Sequence, residues 1–265
     1  MPRAPLSSAA KAELWRTAHA LADAARPATL AHFRSPSLSA DTKETDRFDP
    51  VTAADRASEA AMRAVLARMR PDDAILGEEE AAKSGTSGLT WVIDPIDGTR
   101  GYLSGTPTWG VLVGLSDDEG PLLGIIDQPY IRERFWGGLG EAWVEGPMGR
   151  AALGARAMSQ AILYSTFPEV GTEAEGAAFR RVVPRARLTR YGTDCYGYAL
   201  IAAGQIDLVI EAGLQTYDVM APIAVIEAAG GIVTNWQGGP AHLGGQVLAA
   251  ANTTIHAEAM ALLNG

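Results

Sequence analysis

The chain has 265 residues, of which 47% are hydrophobic and 20% charged, a balance typical of a folded protein of enzyme size. Thirty-one acidic residues against 22 basic ones give a formal charge of −9, which argues against a broad basic surface for nucleic acid or anionic lipid. The single cysteine, Cys195, excludes an intrachain disulfide and a metal site built from several cysteines. Charged residues among the first thirty and the lack of a long apolar run lead us to expect a cytoplasmic protein without a membrane partner.

The pattern of the first half predicts helices followed by a largely antiparallel sheet. Apolar residues three and four positions apart predict one helix over 7–25, ending before Pro27, and a second over 52–69 that Thr52 caps. The polar segment 41–49 between them is expected to be an exposed loop. Short apolar runs bounded by turn residues then predict strands over 91–93, 109–115, 122–126 and 134–144.

In the second half, strand-like and helix-like runs alternate, which is typical of an α/β fold. Because no long linker separates the halves, we expect two subdomains in one body, residues 1–148 and 149–265, joined near Gly146 to Gly154. The predicted strands are 162–165, 188–191, 208–211, 231–236 and 246–250. The predicted helices are 173–182, 195–203, 219–229 and 254–263.

The most informative segment is 94–99, with the sequence DPIDGT. An apolar strand places Asp94 at its end and Asp97 follows three residues later, so two carboxylates and the intervening Ile96 carbonyl can converge on one point. Oxygen ligands of this kind suit Mg²⁺. A helix that starts just after Gly98 would also direct free backbone amides towards a nearby phosphate. An arbitrary Asp-x-x-Asp is usually a solvated turn, but the apolar strand, the proline and the Gly-Thr pair favour a metal site here.

Segment 94–99 resembles the signature of the inositol monophosphatase superfamily. Three further segments resemble family motifs in the expected order: 49–55, 77–79 and 217–219, in the last of which tyrosine replaces the usual tryptophan. The resemblance runs from about Phe48 to Trp236. It implies a lithium-sensitive, magnesium-dependent phosphatase, commonly a homodimer, with an α/β (α+β) fold layered as an α/β/α/β/α sandwich.

The resemblance also implies a metal site for two or three Mg²⁺ ions. Glu78, Asp94 and the Ile96 carbonyl would bind one ion, and Asp94 would share a second ion with Asp97 and Asp218. A third ion would lie near Glu78 and the loop from Lys43 to Asp49. Paired ions of this kind can hold a phosphate, activate water and stabilise the leaving oxygen.

The family's catalytic residues are implied at Asp55, Thr99 and Glu78. A Thr99 hydroxyl paired with Asp55 would deprotonate the attacking water. Taken alone, each of these acids has a simpler interpretation. Glu78 lies in an acidic run that is usually a solvated surface, and Asp55 and Asp218 could be acids that stabilise the start of a helix.

The substrate is expected to be small, soluble and partly cationic. Asp194 beside Glu211 would make the pocket anionic, and buried carboxylates favour an ammonium or imidazolium partner. Segments 124–129, 133–137 and 191–213 resemble the histidinol-phosphate phosphatase branch of the superfamily. Histidinol phosphate carries both cationic groups. The residues expected to bind substrate are Gly98, Thr99, Gly192, Thr193, Asp194, Glu211 and Asp218.

The leading hypothesis is therefore a phosphoric monoester hydrolase that converts L-histidinol phosphate to L-histidinol and phosphate, a step of histidine biosynthesis. Gly192, Thr193 and Glu211 also match positions that contact inositol in relatives, so an inositol-1-monophosphatase is the alternative. Fructose-1,6-bisphosphatase and 3′-phosphoadenosine 5′-phosphate phosphatase activities stay open, as does a non-catalytic metal-binding partner protein. Asp127 is interpreted as a structural turn residue.

Overall fold

The computed structural model describes residues 6–36, 38, 40–42, 50–145 and 156–265. The first half contains α1 (Ser8–His32), β1 (Ala40–Thr42), β2 (Pro50–Thr52), α2 (Ala53–Met69), β3 (Ala74–Gly77), β4 (Thr90–Asp97), α3 (Thr99–Ser104), β5 (Gly110–Asp117), β6 (Gly120–Gln128), β7 (Glu133–Gly138) and β8 (Glu141–Glu145). The second half contains β9 (Ile162–Ser165), α4 (Glu173–Val182), β10 (Leu188–Tyr191), α5 (Asp194–Ala202), β11 (Leu208–Leu214), α6 (Thr216–Ala229), β12 (Ile232–Thr234), β13 (Gly245–Ala250) and α7 (Thr253–Asn264).

Two sheets carry the structure. The first has the strand order β3-β4-β5-β6-β7-β8 and is antiparallel except for the β3–β4 pair. The second has the order β10-β9-β11-β13-β12 and is mixed. Strand β9 pairs in parallel with β10 and β11, whereas β13 pairs antiparallel with β11 and β12. The central strands β5 and β6 are buried along nearly their whole length, as expected where helices cover both faces of a sheet.

Helices and sheets alternate in five layers, which confirms the expected α/β/α/β/α sandwich. One hydrophobic cluster joins α1 and α2 to the outer face of the first sheet, and another joins α4 and α7 to the outer face of the second. The central cluster joins both sheets to α5 and α6, which lie between them. Side chains from the first sheet, α6 and the second sheet meet in this central cluster, for example Leu112, Phe135, Val225, Val209 and Val247.

The first helix is longer than the sequence predicts, because it continues through Pro27 to His32. Pro27 cannot donate a backbone hydrogen bond, so ending the helix there is the usual expectation. Tertiary contacts of the following turn hold the helix instead. Thr29 is buried, its hydroxyl donates to the Arg26 carbonyl at 3.0 Å, and its own carbonyl accepts a 2.6 Å hydrogen bond from the Tyr102 hydroxyl.

The other predicted elements are present, with the following main differences. The pairing of β1 with β2 shows that Asp41 and Thr42 belong to a strand, whereas the rest of the predicted loop, 43–49, lies outside the described residues. The predicted strand 134–144 is two strands, β7 and β8, and β3 was not predicted. Helix α6 begins three residues earlier than predicted. The predicted junction near Gly146 to Gly154 lies entirely outside the described residues, so the boundary between subdomains stays a prediction.

A row of glycines lets α6 lie directly on the first sheet. The three residues are paired across adjacent strands β5, β6 and β7: Gly114, Gly124 and Gly137. A Cβ atom on Gly114 would come within 2.8 Å of Met220 Cγ, and one on Gly124 would overlap the backbone of Ala221. The row therefore fixes the distance between α6 and the sheet, and with it the position of Asp218 in the first turn of α6.

We expect Gly124→Ala to destabilise the protein by about 1–3 kcal/mol, because the added methyl group must displace α6 backbone and not a flexible side chain. Urea unfolding followed by circular dichroism measures this change. Gly239→Ala is the matched control, since the three atoms nearest to its new Cβ all belong to the side chain of Asn235, the closest of them 3.1 Å away. Equal stability of the two variants would contradict the close packing described here.

Within the described ranges, the helices are all too short or too polar to cross a lipid bilayer.

Candidate active site

A cavity of about 750 Å³ opens where the two halves of the chain meet. Its walls come from the β4–α3 junction, the segment after β9, the start of α5 and the β11–α6 junction. Eight acidic side chains line it, and Arg100 is the one cationic side chain among the described lining residues. Such an excess of negative charge is costly unless cations occupy part of the space.

Three carboxylates from both halves of the chain converge at one end of the cavity. Oxygen atoms of Asp94, Asp97 and Asp218 all lie within 4.8 Å of one another. Glu78, just after β3, lines the same cavity, and its charge acts on Asp94. The structure therefore brings together the four predicted acidic metal ligands. The fifth predicted ligand, the Ile96 carbonyl, belongs to a residue that also lines the cavity.

An irregularity in β4 explains how Asp94 and Asp97 reach the same cavity. Residues three apart in a regular strand point to opposite faces of the sheet. Between Asp94 and Asp97, however, the register of β4 with β5 shifts. Asp94 Oδ1 accepts the Ile96 backbone N–H at 2.9 Å within this irregular turn, and the Ile96 side chain is fully buried. The shift thus re-aims the second carboxylate, as strand bulges commonly do beside active sites.

The charges of this cluster oppose one another. Burial, followed by the charges of Glu78, Asp97 and Asp218, raises the pKa of Asp94 well above its usual range. Burial and the charges of Asp218 and Asp194 raise the pKa of Asp97 in the same way, although the carboxylate accepts the Cys195 N–H at 2.6 Å. A bound divalent cation would remove this repulsion. The donor set, entirely of oxygen, fits a hard ion such as Mg²⁺.

Asp55 and Thr99 are not hydrogen-bonded to each other in the structure, so the predicted pair is not formed. Asp55 Oδ2 accepts the backbone N–H and the hydroxyl of Thr52, at 2.8 and 2.5 Å, in a capping box at the start of α2. The Thr99 hydroxyl donates to the Ile96 carbonyl at 3.2 Å and lines the cavity. Asp55 Oδ1 is buried and has no hydrogen-bond partner within the described residues, and burial raises the Asp55 pKa.

The predicted substrate residues divide into two groups. Gly98, Thr99, Asp194, Glu211 and Asp218 line the cavity, whereas Gly192 and Thr193 do not. A substrate contact of that second pair therefore stays a prediction. The exposed residue 192 adopts a φ of 78° and donates its N–H to the carbonyls after β9, and residue 193 is the N-cap of α5.

Gly98 must be a glycine for two reasons. Its φ is 85°, and an added Cβ would come within 2.6 Å of the Asp194 carboxyl carbon. Asp194 itself adopts a φ of 44° and accepts the Thr108 hydroxyl at 2.9 Å. Burial raises the pKa of Asp194. The start of α3 and the start of α5 are therefore packed against each other at the cavity wall.

Glu211 is held by residues that the sequence alone did not single out. Its Oε1 accepts the Thr166 N–H and hydroxyl at 2.8 and 2.5 Å, and its Oε2 accepts the Tyr198 hydroxyl at 2.8 Å. Burial raises the pKa of Glu211, and the charge of Asp194 acts in the same direction. These donors come from the segment after β9 and from α5, so no local sequence pattern links them.

Asp127 is not a turn residue as predicted. It is fully buried near the end of β6, and its Oδ1 accepts hydrogen bonds from Arg26 at 2.8 Å and Arg134 at 2.7 Å. It lies outside the cavity lining. Its role is to pair with two arginines inside the first half of the chain, and the paired charges explain why a carboxylate is tolerated there.

Comparison with known proteins agrees with this geometry. The model of the inositol monophosphatase family matches residues 10–264. The chloroplastic bifunctional phosphatase IMPL2 of Arabidopsis thaliana is 40% identical over 83% of this chain, which spans 63% of that protein's length. The histidinol-phosphatase of Mycobacterium tuberculosis is 33% identical over 92% of this chain and 95% of its own.

A solved structure agrees as well. An inositol monophosphatase from Zymomonas mobilis superposes with a TM-score of 0.85 at 36% identity, covering 98% of this chain and 100% of that one. Family members are metal-dependent phosphatases that hydrolyse phosphate monoesters, and the acidic cluster described above fits that chemistry. The chain therefore belongs to the inositol monophosphatase family.

Proposed function

We propose that this phosphatase uses Mg²⁺ and acts on L-histidinol phosphate, releasing L-histidinol and phosphate in histidine biosynthesis. The observation that carries the proposal is the charge of the cavity, whose acidic lining includes Asp194 and Glu211 in addition to the proposed metal ligands. A substrate with a phosphate at one end and cationic groups at the other complements this arrangement. The histidinol-phosphatase relative supports the same substrate.

The metal ligands proposed are the side chains of Glu78, Asp94, Asp97 and Asp218, together with the Ile96 carbonyl, for two or three Mg²⁺ ions. Bound there, the ions would supply a Lewis acid for the phosphate and lower the pKa of the attacking water. The protein holds these ligands on two rigid supports. Asp94 and Asp97 lie at the end of a buried strand, and Asp218 is fixed by accepting the Gln215 N–H at 2.6 Å.

Proton removal from the attacking water is assigned to Thr99 and Asp55. The Thr99 hydroxyl is on the cavity wall, and Asp55 Oδ1 has an unused acceptor site among the described residues. We propose that the Thr99 hydroxyl leaves the Ile96 carbonyl and donates to Asp55 Oδ1 when substrate is bound. The raised pKa of Asp55, caused by burial, brings this carboxylate closer to the range of an effective base at neutral pH.

The cationic end of the substrate is assigned to Glu211 and Asp194. We expect Glu211→Gln to lower kcat/KM for histidinol phosphate by about 10–100-fold, the effect of losing a charged hydrogen-bonding partner. The amide has nearly the size of the carboxylate, its oxygen still accepts from Thr166, and its NH₂ can donate to the Tyr198 oxygen. The negative charge is lost, and the Tyr198 hydroxyl changes from donor to acceptor in this contact.

Steady-state kinetics with histidinol phosphate and with 4-nitrophenyl phosphate, which has no cationic group, tests this expectation. The second substrate should lose less than about threefold in Glu211→Gln, because its binding does not use a cation. Glu141→Gln on the exposed strand β8 is the control for the substitution itself. Equal losses for both substrates would refute the assignment of Glu211.

The substrate is tested most directly by kcat/KM of the wild-type protein on four compounds. These are histidinol phosphate, inositol 1-phosphate, fructose 1,6-bisphosphate and 3′-phosphoadenosine 5′-phosphate. The similarity to a solved inositol monophosphatase makes inositol-1-monophosphatase the second candidate. A preference for inositol 1-phosphate would overturn the first choice, and no turnover of any phosphate ester would favour a non-catalytic metal-binding protein. A homodimer and lithium sensitivity stay predictions of the family resemblance.

A further inference from the structure

Glu59 is a buried carboxylate of α2 that contacts the backbone around Glu78. The side chain is fully buried, and it lies one helical turn after Asp55. Its Oε2 accepts the N–H of Glu79 at 2.8 Å, and its Oε1 accepts the N–H of Glu80 at 3.1 Å. Hydrogen bonds from backbone amides to a buried carboxylate are strong and fix the position of the chain.

The other side of Glu78 is fixed by the same carboxylate. Gly77 packs so closely on Glu59 that an added Cβ would overlap its carboxylate oxygen. Residues 77, 79 and 80 are thus all in contact with one side chain, while Glu78 between them lines the cavity. We propose that Glu59 is a positioning residue, which holds this segment so that the Glu78 carboxylate faces the acidic cluster. The inference rests on the proposed role of Glu78 as a metal ligand.

Arg63 balances the charge of Glu59. Its guanidinium donates to Glu59 Oε1 at 2.8 Å and to the Glu80 carbonyl at 3.0 Å. A buried carboxylate without a cation would add to the repulsion in the neighbouring cluster. With Arg63 one turn away on α2, Glu59 can bind the backbone amides without that penalty.

A purely structural role for Glu59 predicts lower stability and unchanged metal affinity. Asp207 provides a matched control for this alternative. It is also a fully buried carboxylate, it accepts the Ile162 N–H at 2.9 Å and Arg156 at 2.8 Å, and it does not line the cavity. The substitutions Glu59→Gln and Asp207→Asn are matched. Each removes the charge of a buried carboxylate that accepts hydrogen bonds from a backbone amide and from an arginine.

The test is calorimetric titration of the full-length, metal-free protein with Mn²⁺ and with Mg²⁺, without substrate. We expect Glu59→Gln to weaken metal binding by about tenfold, a typical effect of residues that orient metal ligands, and Asp207→Asn to leave it unchanged. Glu78→Gln should weaken binding by at least as much. The double variant Glu59→Gln/Glu78→Gln should bind no more weakly than Glu78→Gln alone, since Glu59 acts through Glu78.

Unchanged metal affinity in Glu59→Gln would overturn the inference, as would an equal loss in Asp207→Asn or additive losses in the double variant. Unchanged affinity in Glu78→Gln would instead overturn the proposed ligand set itself. If Glu59→Gln does not fold, Gly77→Ala tests the same contact, because the new methyl group displaces the Glu59 carboxylate while keeping every charge. The Gly77→Ala variant should also bind Mn²⁺ more weakly than the wild type. Wild-type affinity in that variant would contradict the proposal.

Discussion

Asp94→Asn is expected to lower kcat/KM for any phosphate ester by at least about a thousandfold while the fold is retained. The charges of Glu78, Asp97 and Asp218 all act on Asp94, which is buried in the acidic cluster. The amide keeps the oxygen that accepts the Ile96 N–H. It removes the negative charge that a divalent ion requires, so the loss is one of chemistry and not of folding.

The measurements are steady-state kinetics at saturating Mg²⁺ and circular dichroism of the same samples. Asp218→Asn should behave alike, because its oxygen can still accept the Gln215 N–H that closes the first turn of α6. The controls are Asp118→Asn in the exposed β5–β6 turn and Glu173→Gln in the exposed first turn of α4. Wild-type rates in either active-site variant would disprove the proposed catalytic cluster.

Removing the metal should make the stability of the protein depend strongly on pH. In the metal-free protein, burial and neighbouring charges raise the pKa of Asp94 and of Asp97 above the unfolded value. The folded state then binds more protons than the unfolded state. The stabilising contribution of these protonated groups is present below about pH 4 and is lost as the pH rises through their folded-state pKa values.

We therefore expect the melting temperature of chelator-treated protein to fall as the pH rises from about 4 to about 8, relative to that of Asp94→Asn treated in the same way. Saturating Mg²⁺ should restore the stability of the wild type at neutral pH and have a much smaller effect on the variant. Thermal denaturation in a pH series measures both effects. If the melting temperatures of the two metal-free proteins changed in parallel with pH, repulsion within the acidic cluster would not be destabilising the wild type.

The acidic cluster could be predicted from the sequence because its signals are local. The segment 94–99 carries two acids, a proline and a glycine in six positions, and Asp55 and Asp218 each lie in the first turn of a helix that the sequence predicts. What the pattern does not contain is the register shift of β4 against β5, which depends on the neighbouring strand. The convergence of Asp94 and Asp97 could be inferred, but its cause could not.

The part of the cavity wall around Asp194 and Glu211 was harder to predict, because its contacts join distant segments. Residues 192 and 193 were placed in the pocket by resemblance, whereas backbone hydrogen bonds to the end of β9 place residue 192 outside the lining. The donors to Glu211 come from Thr166 and Tyr198, which share no motif. Glu59 was missed for the same reason, since its partners lie about twenty positions further along the chain.

Helix α6 packs against the glycine row of the first sheet, shares the central core with the second sheet and carries Asp218 in its first turn. An ion held jointly by Asp94, Asp97 and Asp218 would therefore couple the stability of the first sheet to that of α6 and the second sheet. At 100 times its dissociation constant, such an ion would stabilise the native state by about 2.7 kcal/mol. Because neither half alone holds the full set of ligands, this gain would appear as one cooperative melting transition moving to higher temperature, and not as the protection of a single half.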